Sequence, residues 1–274
     1  MSAGTVENHR QREKGVLVYP VYSRRTGGLS VGINLFPGKK CCSFDCPYCE
    51  VFPFSSLLEF SLEQMEEELR AAICDAQERG IPVGDICFSG NGEPTMSPYL
   101  DTALKCAGRV RAEMAGEAAL VLITNGTGFL NEGVFSILQD AAANPLKLDI
   151  WVKLDAGTPE WYKKMSRSKI PFEKTIAKIR EFAVLSPLTI QTMLCAVDSS
   201  GPPPEEANAW EKLVAELAQG GLVSKVQIYG KVRPSPEDPV ATALPVQYLE
   251  ERAASLRRVL VAASAAPPPV EVYP

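Results

Sequence analysis

The chain has 274 residues, of which 46% are hydrophobic, 22% charged and 8% aromatic, so a wholly disordered, collagenous or coiled-coil protein is excluded. With 28 Lys and Arg against 33 Asp and Glu the formal net charge is −5, which provides no overall basic footprint for nucleic acid. Only short pairs such as Arg24-Arg25, Lys39-Lys40, Lys163-Lys164 and Arg257-Arg258 interrupt the acidic background.

Met1 to Lys14 is polar, without the apolar stretch of a secretory signal, and no run reaches the roughly 18 apolar residues of a membrane span, so a cytoplasmic protein without membrane attachment is expected. Eight cysteines in such a chain point to thiols, metal ligands or redox groups rather than to a disulfide framework. The sole histidine, His9, lies in the polar start, which disfavours a Ser-His-Asp or Cys-His catalytic arrangement and zinc sites built on several imidazoles.

In chain order, Leu29 to Phe36 is an apolar, β-branched run ended by Pro37-Gly38 and predicts a buried strand. Ser61-Leu62-Glu63-Gln64 has capping-box spacing and opens a helix that continues at Met65, Leu69 and Ala72 towards Gly80. Strands are expected at Asp85 to Ser89, Ala119 to Thr124, Leu148 to Leu154, Leu188 to Val197 and Lys225 to Tyr229. Helices are expected at about Pro98 to Met114, Asn131 to Ala143, Phe172 to Leu185, Glu205 to Gln219 and Val246 to Ala262. Six largely apolar strands alternating with helices predict a parallel sheet with right-handed crossovers, an α/β chain folded as a partial (β/α)6 TIM-type barrel. The expected division is an N-terminal segment 1–28, a barrel 29–234, and a C-terminal helix with a Pro-rich tail 235–274, the tail being read as an extended surface arm.

The loop after the first predicted strand carries the chemistry. Cys42, Cys46 and Cys49 stand in C-x3-C-x2-C spacing, three thiolates able to grip one soft-metal centre from a single loop. Four-iron clusters ordinarily use four cysteines, so three leave one iron open to a substrate or cofactor. Cys41 also reaches Cys46 through an x4 spacing and stays a neighbouring candidate. The alternatives are inert thiols or half of a zinc site, but Cys74, Cys87, Cys106 and Cys195 are isolated in the sequence and supply no close fourth ligand.

Further polar groups fall at the predicted strand ends, where a parallel barrel builds its site. They are Ser89-Gly90-Asn91-Gly92-Glu93-Pro94, Thr124-Asn125-Gly126, and Lys153 with Asp155. Lys153 and Asp155 at i and i+2 point to one side of a strand, as a structural ion pair or as a contact for a cofactor or substrate carboxylate or ribose. Gln191, Thr192, Gln227 and Tyr229 interrupt apolar strands, and Cys195 near the end of the fifth is either a packed thiol or a hydrogen-atom donor. Arg233, just past the sixth strand, is a candidate for an anionic substrate.

The cysteine spacing with Tyr48 just before its last member, followed in order by the strand-end motifs, resembles the radical S-adenosylmethionine superfamily. The resemblance implies a 4Fe-4S cluster on Cys42, Cys46 and Cys49, whose open iron binds S-adenosylmethionine and cleaves it reductively to a 5′-deoxyadenosyl radical that abstracts hydrogen from an organic substrate. It implies that the backbone at Tyr48 meets adenine, and that Gly92 and Glu93 hold the methionine end, with Gly90 and the inserted Asn91 beside them. Thr124, Asn125, Lys153, Asp155, Gln191 and Gln227 would complete the cofactor rim, with Lys153, Asp155 and Cys195 as catalytic candidates. Within the superfamily the segments SVGINLFPGKKC, CSFDCPYCE, FSGNGEPT, LITNG, VKLDAGT and VQIYGKVRP resemble a bacterial branch akin to the tRNA-wybutosine (4-demethylwyosine) synthases. That likeness implies a one-electron donor of the flavodoxin or ferredoxin type. The acidic balance favours a small-molecule substrate, and the branch likeness favours tRNA or another nucleoside. A rival of another class is a non-enzymatic iron-sulfur or zinc binding protein.

Overall fold

The computed structural model describes residues 16–143 and 145–274, so His9 and the polar start lie outside the described residues. The described residues divide into two compact units, one made of those up to Cys42 with Pro53–Ile123 and Asp140–Asp149, the other of Ser43–Phe52, Thr124–Gln139 and Ile150–Pro274.

In the first unit, β1 (Val18–Ser23) and β2 (Gly28–Ile33) form an antiparallel hairpin with Val18 opposite Ile33. β3 (Val83–Phe88) pairs parallel with β2, and β4 (Ala119–Thr124) pairs parallel with β3. The crossovers are α1 (Leu62–Glu78) and α2 (Leu100–Met114). α1 starts where the sequence predicts, with Ser61 Oγ accepting the Gln64 N–H at 3.2 Å. Its apolar face, Met65, Leu69, Ile73 and Ala76, is buried, as the 3.6-residue period requires.

Two features of this unit differ from expectation. The segment before residue 28 contributes β1, whose alternation is hidden by Pro20 and whose outward residues are polar or exposed. β2 stops at Ile33 rather than at Phe36 because the Asn34 side chain accepts the Phe36 N–H at 3.1 Å, turning the chain with a local side-chain bond.

In the second unit β5 (Asp149–Lys153), β6 (Leu188–Val197), β7 (Val223–Gly230) and β9 (Val270–Tyr273) run parallel in that order. The short β8 (Ala241–Ala243) pairs antiparallel with the end of β6. All ten residues of β6 are buried, which explains its continuous apolar reading. Helices α3 (Glu132–Ala142), α4 (Pro159–Ser166), α5 (Phe172–Leu185), α6 (Pro204–Gly220) and α7 (Val246–Ala263) join the strands.

The tail read as a surface arm is instead sheet: Val270 to Tyr273 extend the ladder beside β7. The short α4 carries its own signal, Thr158 capping the Trp161 N–H at 3.3 Å and Pro159 at the first helical position. Among the described residues, no helix is long and apolar enough to cross a membrane.

An aromatic cluster knits this unit's helical layer. Phe129 stacks on Phe182 with centroids 4.4 Å apart, and Phe135 meets Phe182 edge-on at 5.1 Å. Phe182 is fully buried, so Phe182→Ala is expected to lower stability by about 3 to 5 kcal/mol, read as a fall in the urea midpoint without a change of slope.

Candidate active site

In the first unit the backbone of Cys41 is built into a strand-end turn. The Cys41 N–H donates to the Asn91 carbonyl at 3.1 Å and the Glu93 N–H donates to the Cys41 carbonyl at 2.8 Å. A Cβ on Gly92 would lie 2.0 Å from that carbonyl oxygen, so only glycine allows the approach. Gly90 supplies a positive φ of 128° at the start of the same turn. Asn34, 3% exposed, accepts the Asn91 N–H at 3.1 Å through the same Oδ1 that turns β2. Asn34 stands one residue beyond the strand and was not singled out by sequence; its signal is an amide at the end of an apolar run.

Glu93 is buried and its Oε1 accepts from the Thr95 N–H at 3.2 Å and Thr95 Oγ1 at 2.7 Å, capping the single helical turn Pro94–Met96. The Ser-Gly-Asn-Gly-Glu-Pro string is therefore a turn in its backbone and a buried carboxylate in its side chain.

In the second unit Ser43 to Glu50 is held from several sides. Ser43 Oγ meets Thr127 Oγ1 at 2.7 Å and accepts from Asn125 Nδ2 at 2.9 Å, while Asn125 Oδ1 takes the Thr127 N–H at 3.0 Å. Thr124 Oγ1 accepts the Gly126 N–H at 3.1 Å, so this strand-end trio shapes its own turn. The Asp45 N–H donates to the Ser166 carbonyl at 2.7 Å, and Phe44 packs edge-on against Tyr162. A tight turn closed by the Cys49 N–H and the Cys46 carbonyl at 3.0 Å places these two cysteines at its ends.

Tyr48, inside that turn, is 7% exposed and its hydroxyl donates a short hydrogen bond to Asp155 Oδ2. Asp155 Oδ1 accepts the Met193 N–H at 2.7 Å and lies 3.0 Å from Lys153 Nζ. Lys153 Nζ also donates to the Tyr229 hydroxyl and sits 4.5 Å from the Tyr229 ring centroid and 5.1 Å from that of Tyr48. The two charged side chains are 13% and 7% exposed. Burial works against the Lys153 charge, but Asp155 and the Tyr229 hydroxyl outweigh it and hold the ammonium protonated above the usual lysine range. Burial, reinforced by the Asp155 charge, keeps the Tyr48 phenol protonated.

Cys42, Cys46 and Cys49 are half-buried, and none of the eight cysteines forms a disulfide. Burial pushes the Cys46 thiol well up, the behaviour of a sulfur placed where its thiolate needs a cation. Among the described residues no three His, Cys, Asp or Glu side chains converge as a ready ion cage. The donor set nonetheless fits a soft-metal cluster by its chemistry, three sulfurs from one loop with no imidazole in the set.

Other expected residues have different settings. Cys195 is fully buried beside β8, opposite Ala243, and burial raises its thiol to about 12. Gln191 and Gln227 are fully buried and bonded to each other, Gln191 Nε2 to Gln227 Oε1 at 3.0 Å. Thr192 turns to the helical side, where its Oγ1 accepts from Trp210 Nε1 at 3.2 Å. Arg233 faces Glu50 at 2.9 Å, so the guanidinium offered to an anionic substrate is engaged by the residue after Cys49.

Beside it Lys231 Nζ lies 2.7 Å from Asp238 Oδ1, and Ser235 donates its N–H to Asp238 Oδ2 at 2.9 Å. Partial burial works to raise the Asp238 carboxyl, but Lys231 and Ser235 prevail and hold it at about 2.

No protein-family profile matches the chain. Two curated relatives from strains of Helicobacter pylori, each described as "UPF0026 protein", are 30% and 29% identical over 168 residues, 59% of this chain and 48% of the relative. The chain thus spans about half the length of the curated relatives it matches. Among solved structures, Streptococcus suis SuiB bound to the precursor peptide SuiA superposes with a TM-score of 0.65 at 12% identity, over 90% of this chain and 50% of that one. SuiB bound to S-adenosylmethionine gives 0.63 at 12% identity, over 85% and 48%. The likeness shows the fold, an α/β chain whose parallel strands form a partial TIM-type barrel, as the strand and helix alternation predicts.

Asp155→Asn leaves the Lys153 ammonium buried without its counter-charge and is expected to cost about 3 kcal/mol or more in denaturant unfolding. Because the Asp238 carboxyl titrates lower folded than unfolded, its contribution is complete above the unfolded value near 4 and is lost as pH falls towards 2. The Ser235 amide is thus expected to keep a constant exchange protection factor from pH 7 to about 5 and lose it between about 4 and 2. Lys231→Met should move that loss to higher pH.

Proposed function

We propose that this chain is a radical S-adenosylmethionine enzyme acting on a small organic substrate. Cys42, Cys46 and Cys49 would hold a 4Fe-4S cluster, and S-adenosylmethionine would be the second cofactor. When bound, the cluster supplies the electron that cleaves S-adenosylmethionine to the radical used for hydrogen abstraction. The observation that carries the reading is the anchoring of the Cys46 to Cys49 turn, through Tyr48, to the Asp155 and Lys153 pair at the end of β5. The SuiB fold, in a protein solved with S-adenosylmethionine bound, supports it.

The chain's own residues have separable tasks. Tyr48, clamped by Asp155, fixes the turn and presents its backbone to the adenine. Gly92 allows the strand-end turn to close on Cys41, and Glu93 offers a buried carboxylate to the methionine ammonium. Gly90 and Asn91 shape the same rim, as Thr124 and Asn125 do at the next strand end. Lys153 holds its proton and acts as a fixed positive charge towards a carboxylate or a ribose oxygen, oriented by Asp155. Gln191 and Gln227 line the floor. Cys195 is proposed as a packed thiol rather than a hydrogen-atom donor, given its complete burial beside β8.

A one-electron donor of the flavodoxin or ferredoxin type would serve such a cluster, and cysteines outside any disulfide suit a cytoplasmic setting. The net charge of −5 favours a small molecule over tRNA, leaving the wybutosine-branch likeness to the motifs alone.

Anaerobic reconstitution, dithionite reduction and addition of S-adenosylmethionine are expected to yield 5′-deoxyadenosine by mass spectrometry. Cys46→Ala should remove both the cluster absorbance and the nucleoside. A variant that keeps both would overturn the assignment, and a loaded wild-type chain that yields none would favour a binding protein.

A further inference from the structure

The inward polar row of the second unit does not end at Gln227. The parallel register sets Lys153 beside Gln191, Gln191 beside Gln227 and Gln227 beside Glu271, so all four project from one face of the sheet. Thr192, on the alternate face, meets Trp210 of α6, which identifies the Lys153 face as the one turned from that helix. Side-chain contacts follow the row: Gln191 Nε2 donates to Gln227 Oε1 at 3.0 Å, and Gln227 Nε2 donates to Glu271 Oε2 at 3.4 Å. Tyr273, two residues on and on the same face, donates its hydroxyl to Glu271 Oε2 at 2.8 Å.

The row leaves one acceptor over. Every amide in it gives its N–H towards Glu271, and the chain of bonds leaves Gln191 Oε1 fully buried with no hydrogen-bond partner in the structure. A buried carbonyl without a donor is costly, and its acceptor is satisfied once an N–H or O–H from outside the chain reaches it. At the other end Glu271 is half-buried, and its partners among the described residues are the neutral amide of Gln227 and the neutral hydroxyl of Tyr273. A carboxylate so placed is stabilised by neutral donors but not neutralised. Lys153 does not serve it, its ammonium being engaged by Asp155 and by the Tyr229 hydroxyl.

We propose that the C-terminal strand β9 is a substrate-recognition element and that Glu271 binds a protonated amine of the substrate, with Gln191 Oε1 accepting a second N–H or O–H from the same molecule. The inference rests on the proposed enzyme function, and it narrows the small-molecule class to amines.

The test uses the full chain with 1,5-diaminopentane as probe and 1,5-pentanediol as its neutral counterpart, followed by calorimetry and by the side-chain amide resonances of 15N-labelled glutamine. The diamine is expected to bind about tenfold or more tightly than the diol and to shift the Gln191 amide resonance. Glu271→Gln should abolish that preference. Equal binding of diamine and diol by the wild-type chain, or a preference that survives in Glu271→Gln, overturns the proposal without dependence on how the variant folds. Iron and sulfide content of the same samples separates the two readings. A chain that prefers the diamine but takes no cluster overturns the enzyme reading alone, and a cluster-loaded chain without the preference overturns the amine site alone.

Discussion

A carboxylate withdrawn from water must be met by donors or it takes up a proton, and Asp155 is met three times, by the Tyr48 hydroxyl, the Met193 N–H and the Lys153 ammonium. Each donor belongs to a different element, so one side chain joins the cysteine turn, β6 and the end of β5. The consequence for chemistry is directional. Lys153 is locked as a cation and is unsuited to nucleophilic attack, whereas a fixed charge over two aromatic rings suits recognition of an anionic or oxygen-rich group. The consequence for the cysteines is positional, because the tyrosine inside the Cys46 to Cys49 turn cannot rotate without breaking its hydrogen bond to Asp155.

The first unit achieves similar rigidity with backbone rather than charge. Asn34 Oδ1 takes two N–H groups, ending β2 and starting the Asn91 turn with one atom. Gly92 then admits the Cys41 carbonyl to a distance no side chain would permit. Asn91 is accommodated in this turn because its backbone amide and carbonyl both find partners. Glu93 pays for its burial with the Thr95 cap, so its orientation is set before any ligand arrives.

The parts of this arrangement that depend on local spacing were legible in the sequence. Three cysteines within one loop, a lysine and an aspartate at i and i+2, and polar groups at the ends of apolar runs need only the periods of strand and turn to be recognised. What escaped depends on partners distant in sequence. β1 and β9 are short, with exposed or half-buried residues, and become strands because β2 and β7 present open edges to them. Glu271 and Tyr273 carry no local mark of function; their position appears only when the register of β9 against β7 is known. Arg233 shows the converse, a residue whose local setting suggested a ligand but whose nearest charge is Glu50 of the same chain.

The two faces of the second unit's sheet show how much of its composition packing alone would require. On the helical side β6 and β7 present Ile190, Thr192, Val226 and Ile228, all buried, with the one hydroxyl satisfied by Trp210. On the other side the same strands present Gln191, Met193, Gln227 and Tyr229, although a barrel interior that needed only to be filled is served better by branched aliphatics. Two fully buried glutamines that satisfy each other once, and leave an acceptor over, are less stable than the valine or isoleucine found one residue away. The arrangement of this polar row, with Lys153 on β5, Glu271 on β9 and directed amides on the two strands between, gives this face a polarity along the sheet that apolar packing would not produce.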